Sequence, residues 1–111
     1  MKVAVVGSRG LNLDIGKHIP KITTLIITGG AKGIDELAEN YADEKHIPKL
    51  IIRPEYNKYG KAAPLIRTKA IIEKSDLIIV FWDGESKGTQ YAIKYATSLG
   101  KKIILHKILN V

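Results

Sequence analysis

The chain has no cysteine, one tryptophan, one phenylalanine and one methionine among its 111 residues. Without thiols there is no disulfide, no thiol nucleophile and no thiolate metal site. The three histidines, His18, His46 and His106, stand without metal-ligand spacing, so no metal site is expected. They form no Ser-His-Asp arrangement either, and nothing points to a bound cofactor. Aromatics make up 6% of the chain, too few for a ladder on which single-stranded bases could stack. No apolar run approaches the roughly 20 residues that cross a bilayer. The start, Met1-Lys2-Val3-Ala4-Val5-Val6-Gly7, reaches a glycine too soon for a signal peptide. The expectation is a soluble, cytoplasmic protein with no membrane partner.

What is present is ordinary for a globular chain. At 45% hydrophobic and 26% charged residues, disorder is excluded, and the length suits one domain, residues 1–111, with its own core. The net charge of +7 comes mostly from lysines spread along the chain. It speaks for anionic partners and says nothing about fold.

Short β-branched runs alternate with helical periodicity. Strands are expected at residues 2–6, 23–28, 49–53, 77–81 and 102–105. Asn12 or Asp14 is expected to cap a short helix that presents Ile15 and Ile19 and stops at Pro20. A clearer helix starts at Ile34, with Leu37, Ala38, Tyr41 and Ala42 on its apolar face. Residues 55–61 read as a polar, tyrosine-bearing loop over the site. Pro64 suits the first turn of a helix running to Lys74, with Ile66, Ala70 and Ile71 or Ile72 facing the core. A last helix buries Ala92, Tyr95 or Ala96, and Leu99, and stops at Gly100.

This alternation implies an α/β, Rossmann-like three-layer domain with a parallel five-stranded sheet. Glycine-bearing turns follow strands one, two and four: Gly7-Ser8-Arg9-Gly10, Thr28-Gly29-Gly30-Ala31-Lys32-Gly33-Ile34-Asp35, and Trp82-Asp83-Gly84 through Gly88-Thr89. A strand order of 3-2-1-4-5 gathers all three at one crevice, where such sheets bind ligands. The order 2-1-3-4-5 separates them. The first order is therefore expected.

The turn from Thr28 to Asp35 is either a phosphate cradle or a tight turn. Glycines admit a ligand to the backbone, and a helix N-terminus favours an anion. It lacks the Lys-Ser/Thr ending of a P-loop and the spacing of a dinucleotide fingerprint.

Taken together, Val6-Gly7-Ser8-Arg9, the Thr28–Asp35 motif, Tyr59-Gly60-Lys61-Ala62-Ala63, Arg67 ahead of Ser75-Asp76, and Gly88-Thr89 resemble the SLOG superfamily. That group includes the Lonely Guy phosphoribohydrolases and the Rossmann-like core of the DNA-processing protein A family. The pattern is most similar to that of the small stand-alone YspA-type members, and it runs from Met1 to about His106. The resemblance implies binding or sensing of a nucleotide-derived ligand, a phosphorylated nucleoside or an ADP-ribose-like compound, often by homo-oligomers. It leaves two alternatives: nucleotide phosphoribohydrolase (N-glycosidase) activity, and single-stranded DNA binding. Ala92 stands where the Lonely Guy enzymes carry their catalytic glutamate, which argues against hydrolysis. Arg67 matches their other catalytic position, and Asp83 or Glu85 is the candidate replacement acid.

The expected ligand-binding residues are thus Gly7, Ser8, Arg9, Gly29, Gly30, Lys32, Gly33, Asp35, Arg67, Trp82, Gly84, Gly88 and Thr89. Lys32 either meets a phosphate or is solvated. Asp35 would repel a phosphate, so it is expected to bond ribose hydroxyls or turn N–H groups. Arg9 either meets the ligand or pairs with Asp83. Trp82 either stacks on a base or closes the core. Thr89 is a helix cap, a phosphate ligand or both. Alanines around Ala62 and Ala63 and around Ala92 and Ala96 offer a surface for packing between subunits.

Overall fold

The computed structural model describes residues 1–109, so the last two residues of the expected domain lie outside the described residues. Five strands, β1 (Lys2–Gly7), β2 (Leu25–Thr28), β3 (Lys49–Ile51), β4 (Leu77–Trp82) and β5 (Lys102–Lys107), form one sheet in the order β3-β2-β1-β4-β5. Every pairing is parallel. The fold is the expected Rossmann-like α/β arrangement. The helices are α1 (Ile34–Glu44), the four-residue α2 (Tyr56–Tyr59), α3 (Ala63–Lys74) and α4 (Lys87–Ser98).

Side chains alternate across a strand, and here both faces are covered. Val3 and Val5 of β1, Ile26 of β2 and Leu77, Ile79 and Phe81 of β4 pack with Ile34, Ala38 and Ala42 of α1. Ala4, Val6, Ile27, Ile78 and Val80 face the other way, onto Ile71 and Ile72 of α3 and Ala92 and Ala96 of α4. These alternate registers explain why β1 and β4 read as unbroken apolar runs.

Several local expectations are corrected. No α-helix follows β1; the connection holds a single 3-10 turn, Gly16–His18. Asp14 Oδ1 accepts the Gly16 N–H at 3.1 Å, while Asn12 stays exposed. Leu11, Ile15 and Ile19 are nevertheless buried, filling the layer beside α1 without helical backbone. β2 starts at Leu25 because Thr23 folds back, its N–H and hydroxyl both donating to the Pro20 carbonyl at 3.1 and 2.6 Å. β3 ends at Ile51, two residues short of the expected Arg53. Residues 55–61 are not a plain loop: α2 and a 3-10 turn, Gly60–Ala62, occupy them. Ile66 and Ala70 are half-buried while Ile71 and Ile72 take the core positions. Leu99 is 45% exposed, since α4 ends at Ser98 and the chain turns through Gly100. β5 runs on to Lys107. Ala63, Ala92 and Ala96 are buried inside the chain, in α3 and α4, while Ala62 is exposed.

No helix among the described residues is long and apolar enough to cross a membrane.

Candidate functional site

The turns after β1, β2 and β4 meet at the carboxyl edge of the sheet around a cavity of about 460 Å³. The β1 and β4 turns are stitched together. The Ser8 N–H donates to the Phe81 carbonyl at 3.0 Å, and Ser8 Oγ accepts the Asp83 N–H at 3.1 Å. Ser8 is thus buried as a brace and does not line the cavity. Asp83 does line it. Its Oδ1 accepts the Glu85 and Ser86 N–H groups, each at 2.8 Å. Those N–H groups, Ser86 first, hold the Asp83 carboxyl below its ordinary range, so it stays ionised. No Arg9–Asp83 ion pair forms among the described residues. Glu85 is exposed and outside the cavity wall.

Ser86 caps α4, its Oγ accepting the Thr89 N–H at 3.4 Å and lying 3.1 Å from Thr89 Oγ1. Thr89 is therefore the capped residue, and the cap is Ser86. Among the described residues the Lys87 and Gly88 N–H groups have no hydrogen-bond partner. Gly88 and Thr89 line the cavity, and a Cβ placed on Gly88 would meet no protein atom within 4 Å.

The other expected site glycines, Gly7, Gly29, Gly30, Gly33 and Gly84, face protein. A Cβ on Gly33, whose φ is +78°, would overlap the Arg9 backbone, and this contact seats the β1 turn over the start of α1. One on Gly29 would overlap the Arg67 guanidinium. The missing side chain there lets Arg67 Nη1 donate to the Gly29 carbonyl at 2.6 Å. Gly7 packs against Ile34 and the Phe81 carbonyl, Gly30 against Arg53 and Ile51, and Gly84 towards Lys107. Arg53 Nη1 also donates to the Gly30 carbonyl at 3.1 Å.

Arg67 and Arg9 both line the cavity. Burial lowers the Arg67 pKa, against the pull of Asp35, but a guanidinium stays charged at any pH of interest. Asp35, 7% exposed, lies on the cavity wall with its Oδ2 accepting the Ala31 N–H at 3.2 Å. Burial pushes its carboxyl above the usual carboxylate range, opposed chiefly by the Ala31 N–H and the Thr28 hydroxyl. The turn after β2 is thus plugged by its own carboxylate.

Lys32 is exposed and off the cavity wall. Trp82 closes the core: its ring packs beside the α3–α4 layer, Nε1 donates to the Ser86 carbonyl at 3.0 Å, and Lys107 Nζ lies 5.7 Å from the ring centre. Sequence reasoning missed Gly10, Ser86, Leu65 and Thr68, all on the cavity wall. Ser86 was detectable as a capping residue before Lys87-Gly88-Thr89. Leu65 and Thr68 carried no signal beyond their place after Pro64. Among the described residues no cluster of metal-ligating side chains exists.

Comparison with protein-family models, with curated proteins and with solved structures finds no match to this chain.

Proposed function

We propose that the cavity binds a nucleotide-derived ligand, a phosphorylated nucleoside or an ADP-ribose-like compound, with a phosphate at the N-terminus of α4. One observation carries the reading. Arg9 and Arg67 converge on the same cavity as the unpartnered N–H groups at the start of α4. Arginine favours phosphate through its fixed fork of donors, and a helix N-terminus adds free N–H groups and a favourable dipole. The cavity volume falls within the range of small-molecule sites. Its place, beside the point where strand order reverses, is where open parallel sheets take their ligands. The resemblance to the SLOG superfamily agrees with this reading.

Hydrolysis of an N-glycosidic bond is the second reading, and the ionised Asp83 at the cavity is what favours it. Against it, Ala92 contributes only a methyl group to the cavity wall, and Glu85 lies outside that wall. Single-stranded DNA binding has less support. Tyr91 and Tyr95 stack on each other at 6.2 Å, and Lys69 sits 5.5 Å from the second ring, so the pair is already engaged.

Isothermal calorimetry against AMP, GMP, CMP, UMP and ADP-ribose tests the proposal, with mass spectrometry of small molecules released on denaturation. Binding of at least one compound, weakened about tenfold or more by Arg67→Ala, is expected. Absence of binding across the panel, with nothing nucleotide-like released, refutes it. Free base accumulating in the same mixtures would favour the hydrolytic reading.

A further inference from the structure

The charge of this chain is lopsided. Residues 86–111 hold five lysines, Lys87, Lys94, Lys101, Lys102 and Lys107, and no aspartate or glutamate, so five of the seven net positive charges fall in that stretch. In the fold it forms α4 and β5, which pack together at one side of the sheet. Among the described residues no carboxylate lies within 4.0 Å of any of these lysines. Lys101 closes the end of α3 instead, its Nζ donating to the Ser75 carbonyl at 2.9 Å. Lys102 and Lys107, at the two ends of β5, are exposed.

β5 is also the longer of the two outer strands. Among the described residues nothing pairs with its far side. The Ile108 N–H, donating to the Trp82 carbonyl at 2.7 Å, carries the ladder one residue further. β3, at the other edge, has three residues, and its Lys49 is paired with Asp43 at 2.9 Å. Exposure along β5 runs in a mirror pattern. Ile103 packs on the α3–α4 layer, and His106 stacks on Phe81 at 5.0 Å between ring centres. Lys102, Ile104, Leu105 and Lys107 are exposed. Because side chains alternate along a strand, Lys102 and Ile104 share one face of the sheet and Leu105 and Lys107 the other.

We propose that the outer edge of β5 takes an extended acidic segment of another protein as a sixth strand. The segment has the form acid-x-apolar-apolar-x-acid, with its acids opposite Lys102 and Lys107 and its apolar pair opposite Ile104 and Leu105. That pattern reads the same in both directions, so it fits a parallel or an antiparallel strand. An edge strand offers unpaired N–H and C=O groups that such a segment satisfies, and opposite charges facing each other across a strand pair attract. A second copy of this chain presents lysine where acid is wanted. A nucleic-acid backbone answers the lysines but neither the backbone groups nor the two apolar side chains. No β5 residue lines the cavity, so the proposal stands independently of the nucleotide reading.

Fluorescence anisotropy in low-salt buffer tests it, using the labelled peptide Ser-Glu-Thr-Val-Val-Thr-Glu-Ser. Two derivatives, with lysine for both glutamates or proline for both valines, and a single-stranded oligothymidylate complete the panel. The wild-type chain should bind the glutamate peptide about tenfold or more tightly than either derivative. Lys102→Glu combined with Lys107→Glu should invert the charge preference, so that the lysine peptide binds about tenfold more tightly than the glutamate one. Equal binding of the glutamate and lysine peptides to the wild type overturns the proposal. So does undiminished binding of the proline peptide, a preference unchanged in the double variant, or no binding of the glutamate peptide at about 1 mM. Oligothymidylate binding that is tighter than peptide binding, and lost in the double variant, overturns it in favour of a nucleic-acid partner.

Discussion

Replacing Gly88 with alanine separates folding from ligand binding in a single variant. Gly88 is the second residue of α4, its backbone is helical, and an added Cβ meets no protein atom within 4 Å. A glycine whose conformation alanine can adopt without strain costs stability, because the unfolded chain has more freedom to lose. Its replacement should stabilise the fold by about 0.4–1 kcal/mol. At about 2.1 cal/mol/K per residue the unfolding entropy of this chain is roughly 0.23 kcal/mol/K, so Tm should rise by about 2–4 °C. The same methyl group stands on the cavity wall beside the two free N–H groups where the phosphate is placed. Losing close approach to charge-assisted donors should weaken AMP binding about 10- to 100-fold. Thermal unfolding by circular dichroism reads the first effect and calorimetry the second. A higher Tm with unchanged affinity refutes the placement of phosphate at α4. A lower Tm refutes the local backbone argument itself.

Other substitutions probe the frame of the site. Gly33→Ala should do the opposite of Gly88→Ala, because a Cβ there enters the left-handed region and overlaps the Arg9 backbone. A loss of about 2 kcal/mol or more in urea unfolding is expected, and a wild-type midpoint would count against the Gly33–Arg9 contact. Ser8→Ala removes the acceptor of the Asp83 N–H from a residue that is 1% exposed. It should cost about 1–2 kcal/mol, and a change under about 0.5 kcal/mol would mean that this N–H finds water. Burial, and secondarily the nearby His18, hold the His106 imidazole below its ordinary pKa. The unfolded chain then takes up the proton first, so stability should be full above about pH 6.5 and fall as the pH drops through that value. The urea midpoint should drop between about pH 7.5 and pH 5.5, and the drop should shrink in His106→Phe. An identical drop in the variant would assign it to other groups.

The sheet was legible because its physics is local and repetitive. Buried β-branched runs, glycine turns after three of them and the rule that ligands gather where strand order reverses were enough to select 3-2-1-4-5. Boundaries were less legible where a side chain overrode the pattern, as when Thr23 turned back to Pro20 instead of extending β2. The connection after β1 placed Ile15 and Ile19 in the core, as their spacing suggested, without forming an α-helix. At the site, sequence spacing could identify glycines but not what approaches each of them. Gly29 and Gly33 admit Arg67 of α3 and Arg9 of the turn after β1, and only tertiary contact reveals it. The same holds for Leu65 and Thr68, brought to the cavity by the docking of α3.

The β5 edge carries a further consequence, for solutions of many molecules. β5 leaves one side of its backbone unpaired, with Ile104 and Leu105 exposed to 37% and 45%. Such an edge invites a second copy to add its own strand. If two copies paired antiparallel about the midpoint of Ile104 and Leu105, Lys102 of each would lie opposite Lys107 of the other. Like charges directly opposed across a strand pair repel. The lysines therefore act as an electrostatic fence whose height depends on ionic strength. At about 1 M salt, where screening acts over roughly 3 Å, that fence is nearly gone. Concentrated brine is thus the condition under which this chain should begin to stick to itself.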